Sequence, residues 1–556
     1  MIKAIDLKIG KSSRSSLDNI KATSVNLFIG PSNSGKSTLL TEIKRHCTTG
    51  NYNDDDLLLN SLEFNGVESK SAVEKVARIT LQPSPGESVP VDHIIIGDDK
   101  TRYQVAQSTL LTVLQNPNTN SDYFCQWFLK FQTLVVDAKT RIELTEPQHV
   151  GDLDKPKRSN LQTLFRNNDK RKLVRSIIAN TFGRYLVVDP TNLGYLRYRL
   201  SNTAPQSVVE ECGIHAQAMQ FHQKAELVEE QDDGLRSFIG IMTEVIAGDH
   251  ALLLIDQPEA FLSPQLAYAL GHELVKAAEN VEKKIFVATD SMPFMLGCLQ
   301  SGCPVNMIRL TNQYGSPTAR LLTNRNIAGL VKNPLLHSFG LLQALFYDCA
   351  IVTVSDAGRA FYQEINERML RADENSGVKN CMFLNAQNSQ TAKTIVQSLR
   401  VLGVPTACVV DIDIINDVGE IWANVLKSVF IPQSERQELA DLRKTVKSSF
   451  DESGKDMKQD GGVEALEKAH KVAAKKLIDD LAEYGLFVVP VGEMESWLSD
   501  LGATGRDSTW LNDMFSKMGD DPDSLSYVKP NKGDVWGFMA SIRKWLIRSN
   551  RKGMPV

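Results

Sequence analysis

Apolar positions along this chain fall into two patterns. Short continuous runs, the mark of buried strands, alternate with longer stretches at helical spacing. Residues 1–45 follow the order strand, turn, strand, loop, helix, with an apolar run at 25–29, a loop from Gly30 and a helix-like run at 38–45. Residues 46–75 are polar, with Asp and Asn concentrated between Asn51 and Asp56, which predicts a surface loop. Arg78-Ile79-Thr80-Leu81-Gln82-Pro83 predicts a strand that ends in a glutamine. Residues 100–235 carry mainly helical spacing, and within them 186–190 and 196–200 predict a strand pair. An apolar helix at 238–247 then leads to an apolar strand at 251–255 that ends in Asp256. A further strand, 284–288, ends at Thr289-Asp290-Ser291.

The C-terminal third repeats the alternation. A helix over 334–348 leads into a strand over 350–354, followed by a helix at 359–370, a strand at 382–384, a helix at 392–402 and a strand at 406–410. Strand alternating with helix predicts a mainly parallel sheet. Residues 434–447 and 463–481 predict amphipathic helices joined by a polar Gly/Lys/Asp turn over 454–462. That pair is either a helical hairpin packed beside the sheet or an arm that docks a partner. Trp497, Trp510, Trp536 and Trp545 gather in the tail and are expected in core and interface.

Composition narrows the class. The 556 residues suggest two to four domains, and 42% hydrophobic with 23% charged residues is ordinary for a globular protein. A formal net charge of −5 gives no global basic field, so any nucleic-acid contact must be local. The basic stretch 155–175 holds eight Lys/Arg against one acid, Asp169. It reads as a solvated helix face or as a track for a phosphate backbone. The 8 Cys are scattered without a CxxC pair, and Cys298 and Cys303 lack partners at zinc spacing. Reduced, buried thiols are expected. The start Met1-Ile2-Lys3-Ala4 runs directly into a strand-like pattern, and no run of 18 apolar residues occurs. A cytoplasmic protein with no membrane partner is the expectation.

Candidate chemistry begins at Gly30-Pro31-Ser32-Asn33-Ser34-Gly35-Lys36-Ser37, with Thr38 following. A glycine loop between a strand and a helix is the setting of a P-loop, whose backbone N–H groups and helix N-terminus face phosphates. Lys36 would reach the β- and γ-phosphates, and Ser37 would ligate Mg²⁺. Asp256, at the end of an apolar strand, suits a Walker B acid that holds Mg²⁺ through water. The next position usually carries the glutamate that polarises the attacking water, and here it is Gln257. A glutamine can orient water but cannot take its proton. Three readings stay open: hydrolysis is slow, Glu259 substitutes, or Gln257 is a trapping substitution. The turn Asp232-Asp233-Gly234-Leu235-Arg236-Ser237 opens the apolar helix that precedes this strand.

Together the P-loop, this turn and the Asp256 strand resemble the ABC-type ATPases of the OLD (overcoming lysogenization defect) family, with SMC-like heads as cousins, over residues 1–330. The resemblance implies ATP bound between two heads, with Lys36 of one facing Gly234 and Ser237 of the other, and hence at least a dimer. It makes Gln82 a candidate to touch the metal and the attacking water, beside its plainer reading as a surface strand end. It also places Asp290 where relatives carry a histidine that senses the γ-phosphate.

Residues 331–556 resemble a TOPRIM domain, the metal fold of topoisomerases, primases and OLD nucleases. The resemblance rests on Asp411-Ile412-Asp413, the run Val489-Pro490-Val491-Gly492-Glu493-Met494-Glu495, and Lys532-Gly533-Asp534. It implies Mg²⁺ ligands at Asp411, Asp413, Glu493 and Glu495, and a lysine near the end, Lys532, at the cleaved phosphate. One departure stands out: the glutamate expected at the end of the first strand is Val354, which leaves only Asp356 nearby to compensate. The expected fold is therefore α/β: an ABC-type P-loop ATPase head over 1–330, with a helical insertion at about 100–235. A smaller TOPRIM-like α/β domain over 331–556 follows, with a helical hairpin at about 434–481.

The whole resembles the ATPase component of Septu-type anti-phage systems, including retron-associated ones. That implies a separate HNH-type nuclease subunit as partner and, in a retron, a reverse transcriptase with its msDNA. The alternative is an ATP-gated, Mg²⁺-dependent OLD-type endonuclease that acts on DNA through its own TOPRIM domain. An SMC-type head is disfavoured because no long heptad repeat separates the two nucleotide motifs. A transporter ATPase is disfavoured because it leaves the C-terminal third without a role.

Overall fold

The computed structural model describes residues 1–11, 15–50, 55–97, 101–152, 159–313, 315–323, 327 and 340–555. The chain divides into two compact units, one of Met1–Leu310 with Thr318–Asn324 and one of Thr311–Pro317 with Arg325–Val556.

The first unit opens with β1 (Ile2–Leu7), β2 (Leu17–Lys21), β3 (Val25–Ile29), helix α1 (Lys36–Thr49) and β4 (Leu59–Phe64). β1 lies between β2 and β4 and is antiparallel to both. Helix α2 (Ser69–Ile79) follows, and after it β5 (Thr133–Val136), β6 (Tyr185–Asn192) and β7 (Tyr195–Ser201). Helix α3 (Asp233–Ala247), β8 (Leu252–Asp256), β9 (Lys284–Ala288), β10 (Val305–Gln313) and β11 (Ser316–Leu322) complete the set. A six-stranded sheet runs in the order β11-β10-β3-β9-β8-β5, and its five strands from β10 to β5 are parallel. All five residues of β3 are buried, as are the first four of β8. Strands covered on both faces read as continuous apolar runs, which is why both are plain in the sequence.

Several expectations are corrected here. Of the strand expected at 78–83, Arg78 and Ile79 are the end of α2, which buries Ala72 and Val76 at helical spacing. Beyond it Leu81 makes only a single bridge, to Ile95. The polar loop expected over 46–75 holds the end of α1, all of β4 and the start of α2, because the apolar alternation at Leu59, Leu62 and Phe64 pairs with β1. Asn51 to Asp54 lie outside the described residues. The mainly helical stretch 100–235 also contains β5, β6 and β7. β6 and β7 pair antiparallel, and the buried Asp189 of β6 takes Arg197 Nε at 2.8 Å and Arg199 Nε at 2.6 Å from β7. In the basic stretch, 155–158 lie outside the described residues. Arg171 and Arg175 both pair with buried Glu211, so these two cations belong to the core and not to a phosphate track.

The second unit is built on β12 (Cys349–Thr353), helix α4 (Asp356–Ala372), β13 (Cys381–Asn385), helix α5 (Ser389–Val401) and β14 (Thr406–Val410). Helices α6 (Gln433–Ser453) and α7 (Lys468–Ala482), strand β15 (Leu486–Val488) and helix α8 (Asp534–Ile547) follow. The four strands are parallel in the order β13-β12-β14-β15. Of the helix expected at 334–348, 334–339 lie outside the described residues, and 341–346 form a 3₁₀ turn. Trp497, Trp510, Trp536 and Trp545 sit in the core of this unit, each at most 2% exposed. Among the described residues no helix is long and apolar enough to cross a membrane.

Candidate functional site

Three neighbouring strands of the first sheet, β3, β9 and β8, deliver their carboxyl ends side by side. In a parallel sheet this edge is where ligands bind. The loop after β3 turns through left-handed backbone at Asn33 (φ 62°) and Gly35 (φ 94°) before α1 begins at Lys36. That geometry points successive amides toward one concavity, an anion cradle at a helix N-terminus. Lys36 is buried, and its ammonium donates to the carbonyls of Gly30 at 2.9 Å and Pro31 at 2.7 Å. Burial lowers its pKa, and Asp290, Glu259 and Asp256 pull the other way. Ser37 Oγ donates to Asp256 Oδ1 at 3.0 Å, so the hydroxyl from the first loop and the acid from β8 meet. Two hard oxygens at this separation could hold Mg²⁺ between loop and strand.

The turn after β8 is held in place from outside. Gln257 has φ 49°, an unfavourable conformation for its side chain, and it is exposed. Its N–H donates to the carbonyl of Ala288 at 2.8 Å. Arg141, buried and far away in sequence, donates to the carbonyls of Gln257 at 2.7 Å and Asp256 at 2.6 Å. Strained backbone persists where neighbours over-determine it, and such places gather at functional sites. Glu259 lies below this turn and accepts from Thr289 Oγ1 at 2.8 Å and from the Asp290 N–H at 3.3 Å. Burial, with Asp290 alongside, pushes its pKa up to about 7. Asp290 in turn accepts from Ser32 Oγ at 3.4 Å, which ties the β9 end to the P-loop. Gln257, Glu259 and Asp290 are thus brought to one edge with Lys36, Ser37 and Asp256. Arg141 has no signal in the sequence, because it sits on a four-residue helix, Thr140–Glu143, with no motif around it.

Two expected contributors are displaced. Gln82 is exposed; its carbonyl accepts from Arg102 at 2.7 Å, and its side chain makes no hydrogen bond among the described residues. Ser237 is fully buried in α3 with its hydroxyl unpartnered, so it does not present itself to a second head. It lies on the second turn of a helix whose Gly234–Ala247 stretch is buried at all but Arg236. Gly234 is buried as well, and a Cβ there would meet the carbonyl oxygen of Phe261 at 2.6 Å. Its glycine is accounted for by this close approach. The exposed start of α3 is Asp232, whose carboxylate caps the helix by accepting from the Leu235 N–H at 3.0 Å, and Asp233.

In the second unit the ends of β12 and β14 open on a cavity of about 230 Å³ lined by Val354, Asp411, Lys458, Glu493, Glu495 and Arg506, among others. Val354 follows the end of β12 and supplies no ligand. Asp356 is exposed and pairs with Arg359 at 2.7 Å, and neither it nor Asp413 lines the cavity. Lys532 is exposed and also outside the lining. What sits among the acids is a lysine absent from the expected set. Lys458 Nζ lies 2.9 Å from Asp411 Oδ2, 3.3 Å from Asp413 Oδ2 and 3.9 Å from Glu493 Oε2. Burial opposes its charge, but Asp411 and Asp413 outweigh it and hold the ammonium above the usual lysine range. Burial raises the pKa of Asp411 and Glu493. Glu495 is engaged elsewhere, accepting from the Asp507 N–H at 3.0 Å. Of the Mg²⁺ ligands expected at Asp411, Asp413, Glu493 and Glu495, the first three face a lysine ammonium. Among the described residues no group of three or more His, Cys, Asp or Glu side chains is arranged to hold a metal ion.

No family model and no curated protein matches the chain. Solved structures that resemble it include an SMC head bound to the C-winged helix domain of ScpA, with 10% identity over 59% of this chain and 99% of that one and a TM-score of 0.34. The SMC head domain from Thermotoga maritima gives 11% identity, 58% and 98% coverage and a TM-score of 0.28. The ADP conformation of an ATP-binding cassette of an ABC transporter gives 12%, 61% and 98%, and 0.25. At such low similarity the functional argument stands on the geometry above.

Proposed function

We propose that the chain is an ATP-binding regulator, slow in hydrolysis, that controls a separate nuclease subunit of an anti-phage defence complex while its own TOPRIM-like unit is catalytically silent. The observation that carries the ATP reading is the 3.0 Å hydrogen bond from Ser37 to Asp256, beside a loop that ends in a buried lysine at a helix N-terminus. These residues fit a nucleoside triphosphate with Mg²⁺. Loop amides and Lys36 would hold the β- and γ-phosphates, Ser37 and Asp256 the metal. When bound, the metal neutralises charge on the phosphates. Gln257, held at the turn by Arg141, orients a water without taking its proton, and Glu259 is the nearby carboxyl whose raised pKa suits it to proton exchange. Slow hydrolysis suits a switch whose nucleotide state sets the geometry of a partner complex.

The partner assignments follow from the Septu-type resemblance: a second copy of the chain joined head to head, an HNH-type nuclease, and in a retron setting a reverse transcriptase with msDNA. The silent TOPRIM reading is supported by Val354 and by Lys458 among the carboxylates. The test uses the purified chain with plasmid DNA, Mg²⁺ and ATP, recording nicking and phosphate release. The expected result is slow phosphate release that is lost in Lys36→Ala, with no cleavage. DNA cleavage that is lost in Asp411→Ala would overturn the regulator reading in favour of an endonuclease acting through its own TOPRIM domain.

A further inference from the structure

We infer that Lys458 is a built-in cation that takes the place of a divalent metal at Asp411, Asp413 and Glu493 and keeps the cavity of the second unit metal-free. This deepens the reading of that unit as silent by naming what silences it. The claim has two parts: that the lysine is placed there by construction, and that a metal cannot share the acids with it.

Placement is built into the backbone. Lys458 lies in the turn between α6 and α7, which is pinned from both sides. Within the turn the Lys458 N–H donates to Asp456 Oδ1 at 2.8 Å, and the Asp456 N–H donates to Asp460 Oδ2 at 2.7 Å. At the turn's far end the Val463 N–H donates to the carbonyl of Pro490 at 2.8 Å. Gly492 (φ 112°) lies so close to the Lys458 carbonyl oxygen that a Cβ there would collide with it. The Gly492 carbonyl itself accepts from the Ile412 N–H at 3.1 Å, inside the Asp411-Ile412-Asp413 element. The turn carrying the lysine, the turn leading to Glu493 and the acid pair are thus one backbone assembly. These contacts fix the backbone from which the Lys458 side chain reaches the acids.

Exclusion follows from the atoms involved. The ammonium contacts Asp411 Oδ2 and Asp413 Oδ2, the pair that would have to converge on a bridging ion. Mg²⁺ requires oxygens at about 2.0–2.1 Å and tolerates little distortion. An ion drawn to these oxygens would therefore stand beside the Lys458 ammonium. Asp411, Asp413 and Glu493 instead receive their counter-charge from the chain itself, with Arg506 also on the cavity wall. The acid pair is retained as half of an internal ion cluster that joins the α6–α7 turn to the sheet.

The test is Mn²⁺ binding to the full chain without nucleotide, read by paramagnetic resonance, which makes it independent of the ATP reading. A neighbouring unit charge changes a carboxylate's affinity for a proton by roughly ten- to thousandfold. Lys458→Met is accordingly expected to create a Mn²⁺ site at least about tenfold tighter than anything Asp411-dependent in the wild type, and Asp411→Asn in that background is expected to remove it. No gain in the folded Lys458→Met chain overturns the inference. So does Mn²⁺ binding in the wild type that Asp411→Asn abolishes. If Lys458→Met does not fold, the wild type decides alone, because its Mn²⁺ binding is expected to be the same with and without Asp411→Asn.

Discussion

Each unit of this chain carries a parallel sheet that ends in acids, and each sets a lysine near them, yet the two lysines do opposite things. In the first unit Lys36 is anchored on carbonyls of its own loop, 2.9 and 2.7 Å away, and leaves Asp256 to the hydroxyl of Ser37. In the second unit Lys458 is anchored on the acids themselves, at 2.9 and 3.3 Å. On the proposed function the first arrangement leaves hard oxygens to a cation brought by a ligand. On the inference drawn above, the second gives them a cation of its own.

The largest effect expected is at Gln257. If hydrolysis is slow for want of a proton acceptor, Gln257→Glu should raise phosphate release roughly a hundredfold or more, on the scale of a general base. An unchanged rate would mean that Glu259 already serves. Next in size, Lys36→Ala should weaken ATP binding roughly a hundredfold, the loss of a charge-assisted contact of about 2–3 kcal/mol. Asp411→Asn should leave ATP binding unchanged, and a comparable loss in both variants would erase the contrast between the units.

A smaller effect is expected from pH. In the nucleotide-free chain Glu259 keeps its proton up to about pH 7, whereas the unfolded chain releases it near the ordinary 4.5. Between those values the folded state binds more protons than the unfolded one, so stability falls as pH rises through this window and is level above it. The penalty above the window is about 1–3 kcal/mol, with partial solvent access at the low end of that range. Melting temperatures of Glu259→Gln should lack this slope and exceed the wild type at neutral pH. Equal slopes would show that Glu259 titrates normally. The smallest effect belongs to Asp356→Ala: loss of an exposed i,i+3 pair with Arg359, about 0.3–0.5 kcal/mol, and no change in metal binding.

Local pattern made some of this legible. The strand, loop and helix at 25–49 and the strand at 406–410 are contiguous signals; the two strands are buried throughout, and α1 buries Leu39, Leu40, Ile43 and Cys47 at helical spacing. Gln257 stood out because it interrupts a contiguous motif. What was hidden depends on residues distant in sequence. Arg141 acts through carbonyls more than a hundred positions away. Lys458 lies in a polar turn that reads as solvent-exposed punctuation, and only the packing of Gly492 against it reveals its target. Ser237 was expected to face Lys36 of a second head by its position in the turn, but the helix turns it inward. Gln82 was placed on a strand because Ile79 and Leu81 alternate as strand residues do, although Ile79 ends α2 and Leu81 makes an isolated bridge to Ile95.

The most direct test of the contrast is to count Mn²⁺ bound to the purified chain in the presence of ATP. One ion per chain is expected, lost in Asp256→Asn and kept in Asp411→Asn. An ion that survives Asp256→Asn and disappears in Asp411→Asn would contradict the assignment of the open site to the first unit and the closed one to the second.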